Sequence, residues 1–316
     1  MCMITITKYD PLTAKRWDEF VRLSRNGTFL HFRDYMDYHS DRFTDCSLIA
    51  TQDGKLCALL PACVDCDTLY SHRGLTYGGW LVPAKHFDVT VMMAVMDAAC
   101  AWMSGNGINR LVYKPVPHIY HRYPCEEDLY ALFRHHASLT EVNISTAIDL
   151  TCPLPLDRGN KSGANAARKA GITVGPSNDW EGYWQLLSSL LDERYGTNPV
   201  HTLDEMRLLQ SRFPENIKLY CATLNGEMLA GVVMYLTPTV AHCQYIAASP
   251  LGKESKALTL LFDYLIDLYH QQGQRRYFDF GISNEDHGRY LNEGLVRQKS
   301  RLGGRGITYN TFEVIL

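Results

Sequence analysis

The chain passes twice through one order of turns, strands and helix, with corresponding points about 170 residues apart. In the first pass Asp53-Gly54 makes a hairpin-type turn, followed by a strand over Lys55–Val64, a second strand near Thr68–His72 and a loop through Gly74, Gly78 and Gly79. A long helix is predicted from Pro83 to Ser104, with a stop at Gly105-Asn106-Gly107 and then the apolar strand Arg110–Lys114. The second pass runs through Asn225-Gly226, strands Glu227–Leu236 and Ala241–Ala247, a loop around Gly252, a helix Ser255–Gln272, a stop at Gly273 and a strand Arg276–Phe280. A hairpin, a helix and a further strand in each pass give a mixed α/β (α+β) fold: two tandem domains, each a largely antiparallel sheet flanked by helices. Between them Thr151-Cys152-Pro153-Leu154-Pro155 breaks both helix and central strand, so the domains are expected over 1–150 and 151–316.

Local chemistry supports these elements. Asp-Gly and Asn-Gly suit the two positive-φ positions of a type I′ turn. In the second pass Leu258, Leu261, Phe262, Leu265, Leu268 and Tyr269 recur at helical spacing, one apolar stripe for a sheet. After the break, Lys161–Ala170 reads as a short helix ended by Gly171, and Trp180, Trp184, Leu187, Leu191 and Tyr195 mark another. Thr202-Leu203-Asp204-Glu205 has the spacing of a capping box.

The formal charge of −3 in 316 residues gives no strongly basic surface, which argues against dedicated DNA binding. Val89–Met103, the most apolar window, is shorter than a bilayer span and carries Asp97, so no membrane span is expected. The N-terminal residues lack a basic start and an apolar run, which points to a cytoplasmic protein with reduced thiols. The histidines show no metal-ligand spacing, Cys63 and Cys66 have no second pair, and no G-x-S-x-G supplies a serine elbow; no metal and no serine hydrolase are expected.

Candidate chemistry gathers in the second pass. The loop from Ser249 through Gly252 and Lys253 to Ser255 joins a strand to a long helix, where free amides and the helix dipole suit a phosphate. It matches neither nucleotide-loop signature. By the period-two rule His242, Gln244 and Ile246 point one way, and Cys243, Tyr245 and Ala247 the other. Asp279 sits inside the apolar strand Tyr277–Phe280, where a carboxylate needs a partner or a task, so it is a candidate base or orienter. Lys161, Asn165, Arg168 and Lys169 share a helix face fit for an anion or for solvent, and His201, before the capping box, is a candidate for substrate contact.

Pro199–Glu205, Gln244–Ser249, Asp279–Ser283 and Leu291–Lys299, together with Asn165–Gly171 and Phe29–Phe32, resemble the FemAB-like branch of the GNAT acyltransferases. The resemblance spans nearly the whole chain and implies two tandem GNAT-like domains and acyl or aminoacyl transfer to an amine. It implies an acyl-CoA donor, acetyl-CoA or another, at Ala247, Ser249, Gly252, Lys253 and Ser255, although the Q/R-x-x-G-x-G/A loop of such domains is degenerate here. Fem proteins take an amino acid from charged tRNA instead. Without a heptad arm or a basic surface, acyl-CoA ranks above aminoacyl-tRNA. The implied acceptor is the amine of an amino sugar or cell-envelope precursor, with Arg168 and Lys299 as partners for its phosphates. Tyr245 and Gln244 are the implied hydrogen-bond donors, and Asp279 orients or deprotonates the amine. A non-catalytic binding module on a duplicated fold is the rival reading.

Overall fold

The computed structural model describes residues 3–316 and divides into two compact units: Met1–Asn143 with Thr308–Leu316, and Ile144–Ile307. In the first unit β1 (Ile4–Lys8) precedes α1 (Ala14–Leu23), the single turn α2 (Arg33–Met36) and the short strand β2 (Thr44–Asp45). The hairpin β3 (Leu48–Gln52) and β4 (Lys55–Leu60) turns at Asp53 and Gly54, whose φ angles of 49° and 78° are those the Asp-Gly pair predicts. Next come β5 (Cys63–Asp65), β6 (Thr68–Tyr70), α3 (Val89–Gly105), β7 (Arg110–Tyr113) and α4 (Glu127–Arg134). Helix α3 starts six residues later than the sequence suggests, because Asp88 caps it by accepting from the amides of Thr90 and Val91. No helix among the described residues is long and apolar enough to cross a membrane.

Three histidines are sealed into this unit. His31 is fully buried and accepts the Thr28 amide at Nδ1 (3.0 Å), while His72, in the left-handed region at φ 63°, accepts the Gly74 amide (3.3 Å). The rings of His39 and His72 stack 5.2 Å apart. Burial pulls the His31 imidazole down to about 4, and burial helped by nearby His39 pulls His72 down to about 3.

Residues 144–149 of β8 (Ser138–Asp149) open the second unit. They are followed by α5 (Arg158–Lys169), β9 (Thr173–Ser177), α6 (Trp180–Tyr195), α7 (Leu203–Arg212), β10 (Ile217–Leu224), β11 (Glu227–Leu236) and β12 (Val240–Ala248). The chain continues through α8 (Pro250–Glu254), α9 (Ala257–Gln272), β13 (Tyr277–Ile282), the hairpin β14 (Asn284–Glu285) and β15 (Tyr290–Leu291), and α10 (Glu293–Arg301). Strand β16 (Arg305–Ile315) closes the chain, and its residues Phe312–Ile315 pair antiparallel with β7 in the first unit. Hairpin β10–β11 turns at Asn225 and Gly226 with φ 51° and 84°. The capping box forms: Thr202 Oγ1 accepts the Glu205 amide and Glu205 accepts the Thr202 amide. The expected apolar stripe of α9 packs on the sheet through Leu261, Phe262, Leu265 and Tyr269, with Leu258 and Leu268 at its margin. The side chain of Tyr195, expected on the α6 stripe, lies outside the described residues.

The loop expected around Gly252 is itself a short helix, α8. Between α8 and α9, Lys256 takes a left-handed φ of 64°, so the run predicted from Ser255 begins only at Ala257.

Candidate active site

In the second unit the sheet runs β8–β13–β12–β11–β10–β9, antiparallel except for β12 against β13. That parallel pair is short: Val240, Ala241 and His242 oppose Tyr277, Phe278 and Asp279, and beyond them the strands part. The gap therefore starts at His242, five residues before the Ala247–Ser255 stretch of the expected donor site. Backbone groups of β12 past this point face an edge that β13 does not cover.

A bulge re-aims β12 where the gap opens. Val233 pairs with Tyr245 and Met234 with Cys243, so Gln244 is an extra residue without a direct partner. The extra residue reverses the phase of the strand, and the strict alternation expected from the sequence fails here. Ala241 and Cys243 face the α9 core before the bulge, and Ile246 and Ala248 face it after. His242 and Tyr245 consequently share the opposite face, with Ala247, whose neighbour Gly231 lies against the Tyr183 ring of α6.

On that face Tyr245 meets Trp184 edge-on at 5.4 Å and His201 edge-on at 5.9 Å. Its hydroxyl is 2.6 Å from His201 Nδ1 and accepts the His201 amide at 3.4 Å. Burial pushes the Tyr245 hydroxyl up to about 12, so it keeps its proton at neutral pH. The structure brings Tyr245 and His201, expected in separate roles, into direct contact, with Gln244 beside Tyr245 on the strand.

Asp279 is fully buried. Its Oδ1 accepts from Ser145 Oγ at 2.5 Å and from the Gly281 amide at 3.2 Å, and its Oδ2 lies 2.8 Å from His242 Nδ1. A carboxylate so enclosed does not reach a substrate directly, which removes it as the base and leaves it as an orienter. The more accessible member of the pair is His242, whose side chain keeps 12% of its surface accessible against 0% for Asp279. Sequence reading placed His242 on this strand but gave it no role.

Lys299 is the second correction. Its ammonium is buried and donates to Gly281 O, Ile282 O and Ser283 Oγ, each at 2.8 Å. All three N–H donors are thereby used, and none is left for a substrate phosphate. Burial draws this amine down to about 8, with Asp279 pulling the other way. Arg168 is likewise engaged: it donates to Asp263 of α9 (3.0 Å) and to Asn165 (2.8 Å).

The expected phosphate turn is largely occupied by itself. Ser249 Oγ accepts the Gly252 amide (3.0 Å) and donates to Leu229 O (3.2 Å), Ser249 O accepts the Lys253 amide (2.9 Å), and Ser255 Oγ donates to Leu251 O (2.6 Å). Gly252 is a glycine for packing, since a Cβ there would lie 2.0 Å from Leu229 O. The amides of Ala257, Leu258 and Thr259, in the first turn of α9, have no acceptor within the helix and, among the described residues, no side-chain cap. Lys256, leading into them, lies over Gly163 of α5.

The first unit has the corresponding strand pair, and there it is closed. Thr68, Leu69 and Tyr70 of β6 run parallel to Arg110, Leu111 and Val112 of β7. Past them the loop stitches the strands together: Ser71 N donates to Val112 O, Lys114 N to Ser71 Oγ, Gly78 N to Lys114 O and Trp80 N to Tyr113 Oη, all within 2.9 Å. Gly78 and Gly79 permit this approach, since Cβ atoms there would meet Ser71 O at 2.1 Å and Tyr113 Oη at 2.8 Å.

Residues 161–289, which contain the parted strands, match the family described as the acetyltransferase (GNAT) domain. No curated protein matches the sequence. Solved structures share the fold over the full chain. FemX has a TM-score of 0.70 at 13% identity, over 98% of this chain and 97% of its own. The C-terminal domain of a putative lysylphosphatidylglycerol synthetase from Agrobacterium fabrum scores 0.62 at 11% identity, over 96% and 91%. A tandem GNAT protein from the clavulanic acid biosynthesis pathway scores 0.53 at 11% identity, over 100% and 98%. The match to the acetyltransferase (GNAT) domain thus falls within the second unit, and the whole chain shares its fold with FemX and the tandem GNAT protein.

Proposed function

We propose that this chain is an N-acyltransferase whose reaction takes place in the second unit, where β12 and β13 part. An amine nitrogen attacks the carbonyl carbon of an activated acyl group, the new C–N bond forms, the bond to the thiol or hydroxyl leaving group breaks, and the ammonium proton passes to a base. The observation that carries the reading is the parting of the strands at His242 and Asp279 inside the stretch that matches the acetyltransferase domain. Tyr245, with its proton retained, supplies a donor on the same face, and Gln244 is displayed by the bulge. For the donor we favour acyl-CoA, its pyrophosphate taking the first amides of α9 with Ala247 and Lys253 near the mouth; the acceptor is an amine on an amino sugar or envelope precursor. The self-bonded turn Ser249–Ser255 favours a second reading, in which the donor is an aminoacyl-tRNA as for the Fem proteins that the sequence resembles.

Acetyl-CoA titrated into the whole chain is expected to raise its thermal midpoint saturably, and with glucosamine present to release free thiol in proportion to amine acetylated. Turnover of charged tRNA without thiol release from acetyl-CoA would move the reading to the second donor. A chain that turns over neither would end the transferase reading.

A further inference from the structure

We propose that His242 is the catalytic base of this transfer, and that Asp279, fixed by Ser145 and Gly281, is the residue that positions it. The inference rests on the transferase reading and adds the identity of the proton acceptor. His242 stands at the last paired position of β12, directly opposite Asp279, so its ring is held where the strands part. An ionised carboxylate only accepts, so the 2.8 Å contact places the imidazole hydrogen on Nδ1 and the lone pair on Nε2. No protein group among the described residues bonds Nε2. The nitrogen left open is therefore the basic one, on the face that Tyr245 and His201 share.

The surroundings keep that arrangement. Asp279 Oδ1 is held by Ser145 from β8 and by the Gly281 amide from β13, which fixes the carboxylate beside the His242 ring. Gly281, at φ 78°, keeps the ring uncovered: a Cβ there would touch His242 Cε1 at 3.5 Å. The charged and titratable groups around the pair are Asp279 itself, the Lys299 ammonium from α10, Cys243 beside it on β12, and Tyr245 with His201 on the open face. In the step itself Nε2 takes one proton from the acceptor ammonium, giving free amine and imidazolium. The amine then forms the C–N bond; as the bond to the leaving group breaks, the nitrogen's second proton passes to the departing thiolate or alkoxide, and the imidazolium returns its own proton to solvent.

The test combines two readouts on the whole chain. Nitrogen-15 spectra of labelled histidine are expected to show His242 in the Nδ1–H form. Asp279→Asn should convert it to the Nε2–H form, because Ser145 and Gly281 keep the amide oxygen and turn its NH2 group toward Nδ1. With acetyl-CoA and glucosamine as probes, His242→Ala is expected to lower kcat by about 10²–10⁴-fold while KM changes little, and added imidazole to restore part of the rate. An Nε2–H tautomer in the unmodified chain, or a His242→Ala variant that transfers at the full rate, overturns the inference and leaves the transferase reading standing. Inactivity of the unmodified chain toward both donors sinks that reading instead.

Discussion

As pH falls below 6.5 the first unit is expected to lose stability on the order of 5 kcal/mol, and to open before the second. The unfolded chain takes up histidine protons near pH 6.5, but the folded unit takes none at His31 until about pH 4 and none at His72 until about pH 3. Each imidazole therefore stabilises the fold fully above pH 6.5 and loses that contribution as pH falls toward its folded value. At 1.36 kcal/mol per unit the losses are about 3 and about 5 kcal/mol. Asp128 works against them. Buried and held at about 6, it takes its proton in the folded state first and returns about 3 kcal/mol between pH 6 and 3.8. His39 and His121, both lowered by burial, add to the loss. A net change of this size approaches the whole stability of a domain. Hydrogen exchange from pH 7 to pH 4 should show β3, β4 and α3 losing protection before β10, β11 and α9. His72→Asn should remove the largest share of the pH dependence. Asparagine tolerates the positive φ and can accept the Gly74 amide. A variant with the same pH dependence would refute the assignment.

Replacing Gly252 by valine is expected to be the most damaging single change near the proposed donor site. A Cβ at this position lies 2.0 Å from the Leu229 carbonyl oxygen and 2.9 Å from its carbon, and both are backbone of β11, an interior strand of the sheet. A side chain cannot swing away to relieve that contact, so α8 must lift. Overpacking of this kind costs about 3 kcal/mol, or about 6–10 °C in the thermal midpoint of a unit this size. Gly273→Ala is the control: its φ is 61° but nothing lies within 4 Å, and about 1 kcal/mol is expected. Equal midpoints for the two variants in differential scanning calorimetry would show that Gly252 is not a packing glycine.

What the sequence disclosed was local in origin. The Asp-Gly and Asn-Gly turns, the stripe on α9 and the Thr202 capping box each depend on residues a few positions apart, and each forms. The bulge at Gln244 carries no such mark, because an extra residue shows only against the partner strand β11; with the bulge unseen, His242 and Tyr245 were assigned to opposite faces. Asp279 stood out as a carboxylate in an apolar strand. Its partners Ser145 and His242 are 134 and 37 residues away and meet it only through strand order. Lys299 reads as a phosphate partner because its motif shows nothing of the carbonyls that receive it. The Lys256 break between α8 and α9 was hidden for a different reason: lysine seldom adopts a positive φ, so nothing in the sequence flags the turn.

The central claim is that the donor sits where β12 and β13 part, and that the matching place in the first unit is closed. Amide chemical shifts of the labelled chain, followed during titration with acetyl-CoA, test this most directly. The account predicts one molecule bound per chain, with saturable shifts confined to Cys243–Ala248, Ala257–Thr259 and Phe280–Ile282, and none over Ser71–Trp80. Shifts at Ser71–Trp80, or two molecules per chain, would contradict it.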